Sequence, residues 1–173
     1  MKRWLVTALS IFGVGICLGF MGCNPIIETS LKNPSWSELQ TFLFNDKTDQ
    51  IEYSYPSFVC DDYARTLQEQ ANKAGWKCGF VIIELNGYID RYGYGIASNT
   101  EHSLNVFETT DKGMIYIDCT GLPSNYYDIS NCDKIVNVVV GEEYIAMRIF
   151  SEYGWSDVWE NMGTIVDVKV KRW

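Results

Sequence analysis

The chain has 173 residues, 14 lysines and arginines against 22 aspartates and glutamates, and a formal net charge of -8. That length fits one domain with its own core. The acidity, with no basic patch along the chain, argues against a nucleic-acid partner or a cationic grip on an anionic membrane surface, and the single histidine excludes a multi-histidine metal site.

Met1-Lys2-Arg3 precedes an uncharged apolar stretch from Trp4 to about Met21, the pattern of an export leader. Residues 1–23 are therefore expected to be a signal peptide or an N-terminal membrane anchor, the stretch being just long enough to span a bilayer. Gly22-Cys23 could end a lipoprotein signal, making Cys23 the lipidation candidate, although Phe20-Met21 depart from the usual small residues. Lipidation, an uncleaved anchor and simple secretion stay open; each places the folded part outside the cytoplasm. Residues 24–34 read as a tether and 35–173 as the domain.

A first helix begins at Ser35, whose spacing to Glu38 makes a capping box, with Trp36, Leu39, Phe42 and Leu43 as its apolar face. NDKTDQ ends it, and the aromatic segment from Ile51 to Phe58, interrupted by Pro56, runs over the core surface. In a second helix, Tyr63, Ala64, Leu67, Ala71 and Ala74 recur at helical spacing on the side of Cys60, and Gly75 is the stop. Cys78 to Leu85 reads as a central strand, and GYIDRYGYGIASNTE as loop. Ser103–Thr109 and Met114–Cys119 are strands around a turn, Ile135–Val140 is a fourth and Thr164–Val170 the last; Tyr144–Phe150 fits helix or strand. The sum is an α+β fold, N-terminal helices packed on a mostly antiparallel sheet.

Three residues carry possible chemistry. Cys60 opens a helix, where free N–H groups and the dipole favour a thiolate and could receive an oxyanion; Asp61 and Asp62 oppose that unless they point outward. His102, the sole candidate for an imidazole base, stands at the mouth of a strand. Asp118 ends an apolar strand, where a carboxylate needs a partner. A three-residue hairpin loop DKG, with Gly113 left-handed, would put His102 and Asp118 on one face. They would be offset along the ladder, so that a bulge or a widened strand end is expected to bring them together. A mixed metal site of Cys60, His102, Asp118 and Cys119 is the competing chemistry; no cofactor is implied.

The blocks FVCDDYARTLQEQANKAGWKC, EHSLNVF and GMIYIDCT, with NPSWSELQTFLFNDKTDQIEY upstream and NMGTIVDVKV at the end, resemble the transglutaminase-like superfamily of papain-type cysteine enzymes over most of residues 33–170. The resemblance implies a papain/transglutaminase-like core with Cys60 as nucleophile, His102 as base and Asp118 as orienting acid. It implies a cell-surface cysteine hydrolase or acyltransferase acting on peptide or isopeptide bonds through a thioester, with a peptide, protein or cell-envelope substrate. The alternative is an inactive domain of the same core serving binding or structure. Cys119 stands where the family commonly has proline, and the oxyanion side chain is not fixed by spacing, with Gln50, Tyr53 and Tyr55 as candidates.

In an exported protein, the cysteines outside the leader also invite a disulfide reading. Cys119 and Cys132 bracket a turn-rich loop and are the expected pair. That leaves Cys60 and Cys78 as two free thiols or a second bridge, the latter incompatible with a nucleophile.

Overall fold

The computed structural model describes residues 30–87, 100–121, 132–150, 158–159 and 162–173. The leader with Cys17 and Cys23, most of the tether, and the segments 88–99 and 122–131, which the sequence reads as loop, lie outside the described residues. Among the described residues no helix is long and apolar enough to cross a membrane.

Helix α1 (Trp36–Asn45) starts as its sequence dictates: Ser35 Oγ accepts the Glu38 N–H at 3.3 Å and the Glu38 carboxylate accepts the Ser35 N–H at 2.7 Å. It buries Leu39 and Leu43. Helix α2 (Cys60–Lys73) buries Tyr63, Ala64, Leu67 and Ala71, and the chain turns out of it through Gly75, whose φ of 87° suits glycine.

Among the described residues seven strands follow: β1 (Gly79–Asn86), β2 (Thr100–Thr109), β3 (Gly113–Asp118), β4 (Lys134–Val136), β5 (Ala146–Arg148), β6 (Val158–Trp159) and β7 (Thr164–Arg172). They form one sheet in the order β6-β5-β4-β3-β2-β1-β7, with every neighbouring pair antiparallel. The fold is therefore α+β, two N-terminal helices against an antiparallel sheet.

Strand alternation divides the core. On β2, Phe107 joins Leu39, Leu43, Tyr63, Leu67 and Ile117 beneath the helices, while Leu104 and Val106 join Val81, Ile83, Tyr144 and Ile165 on the other face. Each fully buried aliphatic or aromatic side chain contributes roughly 1.5–3 kcal/mol. Asn105, fully buried, donates to Ala64 O at 2.8 Å and fastens α2 to β2.

Two strand expectations change. The fourth strand ends at Val136 rather than Val140: Asn137 Nδ2 donates to Glu142, the chain turns at Gly141 (φ 91°), and the Gly141 N–H donates to Ile165 O. Val139 and Val140 are left exposed on that turn, so their β-branched character misleads. Tyr144–Phe150 resolves as extended chain containing β5, and β6 has no counterpart in the sequence reading.

The Cys119–Cys132 disulfide is not formed. Cys119 follows Asp118 and by alternation points into the helix-side core, its free thiol 3.9 Å from Asn105 Oδ1. The Cys132 N–H instead donates to Asp49 Oδ2 at 2.6 Å. No bridge joins Cys60 to Cys78 either: the buried Cys78 thiol packs beside α2 against Asn105 Nδ2 at 3.4 Å, while the Cys60 sulfur is engaged by His102 and the Ser103 N–H.

Gly121, just after the Asp118 strand, shows how tightly this junction is closed. A Cβ there would lie 2.6 Å from Ile51 O, 2.7 Å from Asp49 O and 2.8 Å from the Tyr63 hydroxyl. Backbone has to move to admit it, so Gly121→Ala is expected to lower stability by about 1–3 kcal/mol in urea denaturation; an unchanged midpoint would show that the junction yields freely.

Candidate active site

Cys60 is the first residue of α2, reached through extended Val59. The two acidic neighbours that oppose a thiolate are engaged elsewhere. Asp61 pairs with Arg65 at 2.6 Å on the exposed side, and the Asp62 carboxylate accepts the Val59 N–H at 2.9 Å. Cys60 itself is half-buried. Its sulfur is hydrogen-bonded to the His102 ring and accepts the Ser103 N–H. Burial pushes the Cys60 thiol up, but the His102 hydrogen bond and charge, together with the Ser103 N–H, bring it below its ordinary value.

His102 lies on β2 opposite Ile83, and its Nε2 is 3.0 Å from Asp118 Oδ2. With Nε2 engaged there, Nδ1 is the nitrogen left to face Cys60. The hairpin explains the meeting. Thr109 pairs with Gly113 (φ 73°), so the loop is Thr110-Asp111-Lys112, three residues like DKG but shifted by one toward the N-terminus, with the same parity. Extending the Asn105↔Ile117 register sets Asp118 opposite Leu104, two residues from His102 on one face. Such diagonal neighbours lie within reach of long side chains. The expected bulge is therefore not needed.

Burial opposes a charge on His102, yet Asp118, by charge and hydrogen bond, and Cys60 lift the ring's pKa to about 10. Asp118 is held as an anion: burial would raise its carboxyl, but Lys134, His102 and Tyr144 together bring it well below the usual carboxylate range. The arrangement favours a thiolate–imidazolium pair backed by a carboxylate.

Two partners of Asp118 escaped the sequence reading. The buried Tyr144 hydroxyl donates to Oδ2, and Lys134 Nζ stands 3.8 Å from the same oxygen while donating to Thr120 O at 2.8 Å. The Thr120 N–H holds Oδ1 at 2.8 Å. Lys134 opens an apolar strand, where a charge needs a partner, but its cross-strand pairing with Asp118 is non-local. Tyr144 had no signal, since it lies between elements.

Of the oxyanion candidates, Tyr53 lies close enough to Cys60 for the thiolate's charge to raise its phenol, after burial. Tyr55 is 82% exposed, and Gln50 ends the 3-10 turn Thr48–Gln50; neither hydrogen-bonds Cys60. The mixed metal site does not assemble, because Cys119 faces away from Asp118 and His102. Among the described residues no group of three or more His, Cys, Asp or Glu could hold a metal ion.

A groove of about 630 Å³ bounded by Phe42, Gln70, Lys73 and Trp76 lies toward the other end of α2 and holds none of these groups. Comparison with protein-family models, with curated proteins and with solved structures finds no match.

Proposed function

We propose that this protein is a cysteine hydrolase or acyltransferase acting on peptide or isopeptide amide bonds, built on a papain/transglutaminase-like core. The observation that carries the reading is the hydrogen-bonded chain from Cys60 through His102 to Asp118, with the sulfur at a helix start. The Cys60 thiolate attacks the acyl carbon. The oxyanion is received by N–H groups at the start of α2, where the Asp62 and Tyr63 N–H already bond Val59 O and those of Cys60 and Asp61 do not. His102 gives its proton to the leaving amine, which departs as the thioester forms. It then takes a proton from the water or amine that resolves the thioester.

The test is alkylation of the folded protein by iodoacetamide followed by peptide mapping. Cys60 is expected to react about ten-fold faster at pH 7 than an unperturbed thiol such as glutathione. Reaction at the glutathione rate or slower would defeat the reading and leave a binding or structural role for the same core.

The position of the site bears on location. The Lys32 N–H donates to Gly75 O at 2.9 Å and the Lys77 N–H to Lys32 O at 2.8 Å, so the chain enters beside the C-terminal end of α2. Fourteen helical residues span about 21 Å. With the N-terminus attached to the extracytoplasmic face of a membrane, the Cys60 end would look outward, toward a peptide, protein or cell-envelope substrate.

A further inference from the structure

An orienting carboxylate needs one oxygen for the ring and an anchor for the other. Asp118 has more. Nε2 of His102 at 3.0 Å, the Tyr144 hydroxyl and Lys134 Nζ at 3.8 Å all converge on Oδ2, while the Thr120 N–H holds Oδ1. Tyr144 is 1% exposed and Lys134 5%. Placing an ammonium there is costly, and a phenol and an ammonium on one oxygen exceed what holding a ring in place requires. Nor is the phenol a distant strut, since the Tyr144 ring stands edge-on to His102 with centroids 5.7 Å apart.

We propose that Tyr144 and Lys134 are positioning residues for the reaction at Cys60: acting through Asp118, they set how tightly His102 holds the proton it must hand to the leaving group. The assignment rests on the acyl-transfer reading above. A buried carboxylate with its whole charge turned on an imidazolium stabilises the charged ring strongly, which favours the thiolate but makes the proton hard to surrender. Two further donors on the same oxygen disperse that charge. They keep the acid ionised in a site nearly closed to water, and they leave the ring acidic enough to protonate an amine. The other titratable groups are the Cys60 thiolate on α2 and the buried Asp49 and Asp133, both of which feel the Lys134 charge, Asp133 that of Asp118 as well.

His102 is the only histidine in the chain, so ring ¹⁵N resonances of the full-length, histidine-labelled protein report this one group. In the unaltered protein the ring is expected to stay protonated through neutral pH and to titrate at about 10. Tyr144→Phe, which removes a single oxygen, is expected to raise that midpoint by about half a pH unit, and Lys134→Met by more, through loss of a full charge. Lys134→Arg should return the midpoint toward that of the unaltered protein. A merely structural role would change the unfolding midpoint and leave the ring titration in place. If Tyr144→Phe, folded by near-ultraviolet circular dichroism, shows an unmoved or lowered midpoint, the proposal is overturned, whether or not Lys134→Met folds. Failure of the acyl-transfer reading shows separately, as a Cys60 alkylated no faster than glutathione while the ring still shifts.

Discussion

Replacing His102 by asparagine is expected to slow alkylation of Cys60 by iodoacetamide about ten-fold at pH 7. Two influences on the sulfur raise its pKa, burial and the Asp118 charge; the hydrogen bond and charge of His102 are the main ones that lower it. Without the ring, only the Ser103 N–H opposes them. The thiol should return to its ordinary value of 9.0 or above it. Thiolate forms as pH rises through the thiol pKa, so the sigmoid of rate against pH begins below 9 in the unaltered protein and moves to higher pH in the variant. On an amide substrate the loss should be larger, about 10²- to 10⁴-fold, because the same substitution removes the proton donor and acceptor of both half-reactions. In the unaltered protein turnover should also fall on the alkaline side as the ring loses its proton at about 10. An alkylation sigmoid that stays in place when His102 is replaced would show that the ring does not activate the sulfur.

The site was legible in the sequence to the extent that strand parity and helix capping are local. Cys60 at a helix start follows from the spacing of Tyr63, Ala64, Leu67 and Ala71, and the shared face of His102 and Asp118 follows from an odd loop followed by a left-handed Gly113. Non-local partners are a different matter. Lys134 reaches Asp118 because β4 adds to the far side of β3, a pairing no local signal specifies, and Tyr144 arrives on a turn after a run of valines that resembles strand. The disulfide expectation failed for a related reason. Cysteines that bracket a turn suggest a bridge, but the side on which Cys119 points is decided by Asp118, and Asp118 faces His102. One residue of alternation carries the thiol into the core beside Asn105.

Asp118→Ala is expected to be the most destabilising single change in the site, at about 3–5 kcal/mol at pH 7. The carboxylate is 3% exposed and satisfies the His102 ring, the Tyr144 hydroxyl and the Thr120 N–H, with the Lys134 ammonium beside it. Alanine takes that acceptor away from all of them and leaves two cationic side chains facing one another in a closed space. Asp118→Asn keeps the volume and one acceptor oxygen and should cost less, while still weakening the thiolate by releasing the ring. The pH dependence separates charge from packing. A carboxyl depressed on folding contributes stability that is fully present above its unfolded value, about 3.9, and is lost as pH falls toward its folded one. The stability gap between the unaltered protein and Asp118→Asn, measured by urea denaturation, should therefore narrow below about pH 4, where the carboxyl is protonated, and narrow again as pH rises through the ring's range, from about 6.5 toward 10, where the charge that Asp118 holds on His102 is lost. Asp49 and Asp133 work in the opposite sense. Burial, above all, raises both, so they favour the fold more as the pH drops, in the variant and in the unaltered protein alike; Asp49 cancels from the gap, and Asp133, raised in part by the Asp118 charge, cancels in part. A gap that persists unchanged into acid would mean that Asp118 serves by shape alone, and the ionised acid behind His102 would have to be abandoned.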